Sequence, residues 1–224
     1  AKLGRAKARP FFCRGTPMSA SNGERAAARA DLCRLLAACY YQPGREFKEE
    51  GVFSSMKEAA TKLDDAMAAS VEAMAEAFEI LPAEELLVDY TRLFLNPTGP
   101  LAAPYESYWL GRKDPTLTQQ ISQAVSATYG EGGFEISDDF RDLPDHIAAE
   151  LEYLYTLIFN EARADASKDA VGKFKTAELR LRFVAAHLGR WVGPFSAAVK
   201  AAAETSYYRS LATLTERFVA QEAT

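Results

Sequence analysis

An all-α fold is predicted for this chain, a single globular helical domain of about eight to ten helices. Three observations carry that expectation. Forty of the 224 residues are Ala, which loses no side-chain entropy in a helix, and β-branched runs are scarce. Only 13 Gly and 10 Pro interrupt the chain. Apolar residues recur at three- and four-residue spacing in one segment after another. With 48% apolar and 25% charged residues, the chain can bury a core, and disorder, collagen-like repeats and a disulfide-stapled miniprotein are excluded.

The elements follow in order. Ser21-x-x-Glu24 is a capping box ahead of a helix with Leu32, Leu35, Leu36, Cys39 and Tyr40 on one stripe. Pro43-Gly44 stops it. A second helical segment, about 46–60, carries Phe47, Phe53 and Met56. A third, about 62–80, repeats Leu63, Met67, Val71, Met74 and Phe78. Pro82 opens a helix to about 95 with Leu86, Leu87, Tyr90, Leu93 and Phe94 inward. Asn96-Pro97-Thr98-Gly99-Pro100 then breaks the chain, and Pro104 predicts irregular backbone beyond it.

Asp114-Pro115 starts the next helix, which runs to Tyr129. An acidic, glycine-containing seam follows, from Gly130 to Leu143. Pro144 is expected in the first turn of a long helix bearing Ile147, Leu151, Leu154 and Ile158. Another helix spans about 168–191, and Gly193-Pro194 is expected to separate it from two closing helices at 194–203 and 206–221. Two lobes would meet at loops 96–115 and 130–143.

Charge is unevenly placed. The net charge is −5, yet residues 1–17 carry five cations and no acid, leaving −10 on residues 18–224. An acidic body disfavours nucleic acid and favours basic ligands. The basic tail 1–17 lacks the apolar stretch of a secretory signal, and Met18 reads as a natural start. The tail is therefore expected to be an upstream or vector-encoded segment ahead of one domain at 18–224. Its cations followed by Phe11-Phe12 would suit the acidic groove of its own or a neighbouring molecule.

Cys13, Cys33 and Cys39 form no Cys-x-x-Cys pair, which fits a reducing cytosol. The longest apolar run, Leu35–Tyr41, is far below the roughly 20 residues that span a bilayer, so no membrane insertion is expected. Neither a phosphate loop nor a dinucleotide fingerprint occurs. No serine sits in a nucleophile elbow, and no Glu-x-x-His appears for a di-iron bundle. No metal, cofactor or catalytic activity is expected. His146 with Glu150, spaced i, i+4, offers an alternative reading as a small helical hydrolase; a non-catalytic interaction scaffold is another.

Two clusters stand out. In Leu143-Pro144-Asp145-His146, Asp145 is expected in the first helical turn, where the dipole favours a carboxylate, and His146 is expected to face Glu150. The second cluster joins Tyr90-x-x-Leu93-Phe94 with Pro104-Tyr105-Glu106-Ser107-Tyr108-Trp109. Three aromatics and a carboxylate after a proline break suit a binding wall as well as a core plug. His187, Trp191, Cys33 and Cys39 read as structural.

The order Tyr90-x-x-Leu93-Phe94, Pro104-Tyr105-Glu106-Ser107, then Leu143-Pro144-Asp145-His146 leading into Glu150-Leu151-Glu152 resembles the TorD/DmsD group of cytoplasmic chaperones for molybdoenzymes, the redox enzyme maturation proteins. The resemblance covers residues 19–224. It implies a non-catalytic cytoplasmic protein, monomer or homodimer, that binds the twin-arginine signal peptide of an exported oxidoreductase's catalytic subunit until the cofactor is inserted. Dimethyl sulfoxide, trimethylamine oxide, nitrate and formate enzymes all fit as its client. The family's peptide contacts fall here on Tyr90, Leu93, Phe94, Pro104, Tyr105, Asp145 and His146. Tyr90 and Tyr105 stand where some members carry Trp. From the residues themselves, Glu106, Ser107, Trp109 and Glu150 extend the expected site. Its carboxylates would meet guanidinium groups and its aromatics the apolar stretch that follows them.

Overall fold

A computed structural model describes residues 22–96, 98–111, 113–137 and 140–224. The capping serine Ser21, Cys13 and the whole basic tail lie outside the described residues. Eleven α-helices occur among those described: α1 Asn22–Ala38, α2 Glu46–Glu49, α3 Val52–Thr61, α4 Asp65–Ile80, α5 Ala83–Tyr90, α6 Glu106–Leu110, α7 Pro115–Glu131, α8 Ile147–Ala166, α9 Ala170–Ala186, α10 Leu188–Ala202 and α11 Ser206–Glu222. A π turn, Thr91–Leu95, continues α5.

One hydrophobic core runs through the molecule. Helix α1 packs on α8 and α3, and α4 packs on α11, which also lies against α10. First-half and second-half helices therefore interlock. Trp191, Phe183, Phe195, Tyr207 and Tyr208 are fully buried at the centre, as are both described cysteines. Burial of the thiol pushes the Cys39 pKa up to about 12, so it is an inert apolar filler.

Helix starts follow local chemistry. Asp64 accepts the Met67 N–H at 3.0 Å and Asp114 accepts the Thr116 N–H at 2.8 Å, each capping the helix that follows it. Helix α11 is capped from another element. Asp89 of α5 is buried and accepts the Thr205 N–H and Oγ1–H, both at 2.8 Å, and the Glu204 N–H at 3.1 Å. Arg92 closes the arrangement, donating to Asp89 at 2.8 Å and to the Ala202 carbonyl at 2.7 Å. A second buried clamp joins α1, α9 and α11. Arg29 grips Glu222 through both carboxylate oxygens, at 2.9 and 2.6 Å, while Arg180 reaches Glu161 at 2.9 Å and the Glu222 carbonyl.

The structure corrects four boundaries. The expected 46–60 helix is two, because Gly51 takes the left-handed φ of 64° between α2 and α3. The segment after Pro104 is not wholly irregular: Glu106–Leu110 is helical. The expected 168–191 helix breaks at His187, and Pro194 lies inside α10 instead of ending a helix. Pro194 and Arg190, whose carbonyl loses its helical partner to the proline, are both exposed. At the actual break α9 and α10 approach closely: a Cβ on Gly189 would fall 2.6 Å from the Val184 carbonyl.

The fourth correction concerns α8. It begins at Ile147, so Pro144 and Asp145 precede it and His146 is its N-cap. Pro144 and Asp145 form a turn closed by the His146 N–H on the Leu143 carbonyl at 3.1 Å, His146 is extended, and the backbone around them is already engaged. Tyr129 donates its hydroxyl to the Pro144 carbonyl at 2.7 Å, Glu106 N–H reaches the Asp145 carbonyl at 3.0 Å, and Ile147 N–H reaches the Pro104 carbonyl at 2.8 Å. Cross-chain pairing here overrides proline's preference for the first helical turn.

Candidate binding site

The two sequence seams meet. Tyr105 and His146 form an isolated antiparallel bridge, and their rings pack edge to face with centroids 5.3 Å apart. This short pairing sets the start of α6 against the start of α8, the junction from which the site is built.

Beneath the junction lies a group of buried acids. Asp145 is fully buried, and its side chain accepts the Ser107 N–H at 2.8 Å. Glu150 is also fully buried and accepts the Trp191 indole N–H at 3.2 Å. Glu106, 1% exposed, faces His187 Nδ1 at 3.1 Å, and His187 Nε2 lies 3.3 Å from the Thr128 hydroxyl. One oxygen each of Asp145 and Glu150 lacks a hydrogen-bond partner. Burial, then the charge of Glu106, holds the Glu150 carboxyl well above its ordinary range. His146 is pushed the other way. Burial lowers it to about 4 against the pull of Asp142 and Asp145. That fits its geometry, since Nδ1 accepts the Ala148 N–H at 3.1 Å and must be unprotonated to do so.

The outer side of the junction is different in character. Asp142 is exposed and accepts the hydroxyl of half-buried Tyr105. Glu152, half-buried, accepts the Tyr41 hydroxyl at 2.8 Å. The Asp142 charge reaches both Tyr41 and Tyr90. Burial first raises both hydroxyl pKa values; Glu152 and then Asp142 add to it at Tyr41, and Asp142 adds to it at Tyr90, which is pushed up to about 12. Phe140 stands against His146 at 6.2 Å, and Leu143 is half exposed. Two carboxylates with phenols hydrogen-bonded to them, Asp142 exposed and Glu152 half-buried, thus lie over a buried base.

The expected site residues divide between these two levels. Tyr105 and Trp109 are the ones with appreciable exposed surface. Tyr90, Leu93, Phe94, Pro104, Glu106, Ser107, Asp145, His146 and Glu150 are buried. Asp145 and His146 are therefore not at the mouth of a cleft, because each is occupied in joining α6 to α8. His146 does not face Glu150 either: its Nδ1 caps its own helix and Glu150 turns to Trp191, which removes the pair that the hydrolase reading needs. Leu93 and Phe94 lie in the π turn, whose Leu93 carbonyl takes the Ala102 N–H at 2.9 Å. Trp109 is anchored by its indole N–H to the Ala103 carbonyl at 2.8 Å.

Tyr41, Asp142, Glu152 and the Glu106–His187 pair were not singled out by spacing. A tyrosine beside a Pro-Gly helix stop and an aspartate at the end of an acidic seam were the available signals. Among the described residues no cluster of His, Cys, Asp or Glu is arranged to hold a metal ion, and no helix is long and apolar enough to cross a membrane.

Comparison with known proteins agrees with this architecture. Residues 60–197 match the family model described as nitrate reductase delta subunit. The chain is 30% identical to a chaperone protein TorD of Shewanella sp. strain ANA-3 over 209 residues, covering 87% of this chain and 92% of that one. It is 28% identical to TorD of Shewanella pealeana, covering 62% of this chain and 59% of that one. A crystal structure described as a redox enzyme maturation protein from Archaeoglobus fulgidus superposes with a TM-score of 0.50 at 17% identity, over 95% of this chain and 99% of that one, and so shares the fold. The interlocked helices, the α6–α8 junction and these matches lead to one conclusion: the chain belongs to the TorD family of redox enzyme maturation chaperones.

Proposed function

We propose that this chaperone binds the twin-arginine export leader of a molybdoenzyme catalytic subunit and holds it, without chemical change, while the cofactor is inserted in the cytoplasm. One observation carries the reading: exposed Asp142 and half-buried Glu152 each accept a tyrosine hydroxyl, and the charges of both reach Tyr41. A guanidinium forms charge-assisted, bidentate bonds that a neutral phenol cannot match, so an arginine pair would displace Tyr105 and Tyr41 from the carboxylates. The freed rings then flank the arginine stems, and exposed Leu143 offers apolar surface beside them. Two separate carboxylates suit two adjacent cations.

The buried residues have a different task in this reading. Asp145, Glu106, Glu150 and His146 fix Tyr105 and Asp142 in place, and Tyr90, Leu93 and Phe94 support them from the core. The net charge of −10 on residues 18–224, read as the chaperone domain, speeds encounter with a cationic leader and makes the rate salt-dependent. Calorimetric titration of a synthetic twin-arginine leader at low and high ionic strength tests the proposal. Binding that weakens with salt is expected, and no heat at either ionic strength would remove the reading.

A further inference from the structure

The break between α9 and α10 aims a side chain at the underside of the site. His187 occupies that break with φ −125° and ψ −99°. Its N–H donates to the Phe183 carbonyl at 2.9 Å, its carbonyl accepts the Arg190 N–H at 2.9 Å, and its ring centroid lies 5.6 Å from that of Phe183. Held in this way, the imidazole bridges two other helices. Nδ1 lies 3.2 and 3.1 Å from the two Glu106 oxygens at the start of α6, and Nε2 lies 3.3 Å from the Thr128 hydroxyl on α7. The Glu106 side chain is 2% exposed and that of His187 12%, so little water competes with their contact.

Glu106 is the chain neighbour of Tyr105, and the backbone between them decides where each side chain goes. Tyr105 is extended, with φ −130° and ψ 131°, and successive side chains of an extended segment leave on opposite sides. Tyr105 therefore reaches outward to Asp142 while Glu106 reaches inward to His187. Beside it Glu150 feels the charges of both Glu106 and Asp145, so this inward side is otherwise acidic. A ring N–H facing both oxygens of Glu106 offsets that repulsion and keeps the carboxylate in place.

We propose that His187 is a positioning residue for the leader site: from beneath it holds Glu106, and through the extended link to Tyr105 it keeps that ring against His146 and its hydroxyl on Asp142. His187 itself touches no leader. It lowers the cost of binding by presenting one arrangement of the Tyr105 wall in advance. The proposal rests on the leader-binding reading above and adds the α9–α10 break to the parts that serve it.

Two readouts on the whole chain test it. The first needs no peptide: the tyrosines are replaced by 3-fluorotyrosine, and the Tyr105 fluorine resonance is assigned by its loss in Tyr105→Phe. His187→Leu, which fills the space but donates nothing, should shift that resonance. His187→Asn, whose Nδ2 takes the place of Nδ1, should return it toward the parent position. The second readout is the anisotropy of a fluorescein-labelled twin-arginine leader. His187→Leu should weaken binding about tenfold, and His187→Asn should restore it to within about threefold of the parent. In a Glu106→Met background, where the acceptor is gone, His187→Leu should cost less than about twofold more. An unmoved Tyr105 resonance in His187→Leu, leader affinity equal to the parent's, no recovery with His187→Asn, or a full tenfold loss on top of Glu106→Met would each overturn the proposal while leader binding by the parent stands. A parent that binds no leader would instead remove the reading on which the proposal rests, and the parent's titration alone tells the two failures apart.

Discussion

The Asp145 side chain accepts the Ser107 N–H at 2.8 Å while its own carbonyl accepts the Glu106 N–H at 3.0 Å, so one residue holds both the first turn of α6 and the strand-like entry to α8. The position expected to grip a ligand is instead the fastening of the loop that carries Tyr105. Asp145→Ala leaves a buried N–H without a partner and should cost about 2 kcal/mol. Asp145→Asn keeps an acceptor and should cost less. Urea midpoints at unchanged m-value measure both, and equal losses would remove the fastening role.

His146 predicts an acid-side loss of stability. Its folded pKa is about 4, below the ordinary 6.5, so the unfolded chain takes up a proton in that window and the native chain does not. Stability is full above about 6.5 and falls as pH drops toward 4, by as much as about 3 kcal/mol. His146→Asn keeps a capping acceptor and does not titrate. Melting curves at pH 7 and pH 5 should show a smaller drop for the variant than for the parent; identical drops would contradict the assignment.

Glu150 acts with the opposite sign. Its carboxyl is raised well above 4.5 by burial and by Glu106, so the stability it contributes is full at low pH and is lost as pH rises through its folded value. Glu150→Gln keeps the acceptor for Trp191 without the charge and should flatten the decline that sets in as pH rises above the ordinary carboxyl value of about 4.5. Glu150→Ala opens a cavity and orphans the indole, at a cost of about 3 kcal/mol. Denaturation measured from about pH 4 upward separates the two, and a Gln variant as pH-sensitive as the parent would exclude a titrating Glu150.

Asp89 should prove the most sensitive position outside the junction. Its carboxylate serves Thr205, Glu204 and Arg92 together. Asp89→Ala therefore uncaps α11 and leaves a partly buried guanidinium without its main partner, at about 3 kcal/mol or more. Thermal unfolding checks this, and a loss below about 1 kcal/mol, the value of an ordinary exposed cap, would contradict the cross-element cap.

Much of the fold was legible because helical spacing is a local signal. Leu32, Met67, Val71, Leu151 and Leu154 are all buried as their spacing required. Asp114-Pro115 announced α7 through its own capping chemistry. Features set by distant partners were not legible. Pro144 looks like a helix start until Pro104 and Glu106 pair across it, and Asp89 looks like a surface acid until Thr205 is brought to it. The site was half legible for the same reason. The Tyr105 and Asp145–His146 motifs do come together, yet which of them faces solvent depends on packing from α6, α7 and α10. Tyr41 and Asp142 join them only through the fold.

The most direct measurement is a paired titration of a twin-arginine leader peptide and its twin-lysine counterpart into the parent chain and Asp142→Asn. The account predicts that the parent binds the arginine peptide about tenfold tighter, a difference of about 1.4 kcal/mol for lost bidentate geometry, and that Asp142→Asn erases that preference while the fold is kept. Equal affinity of the parent for both peptides, or an arginine preference that survives Asp142→Asn, would contradict it.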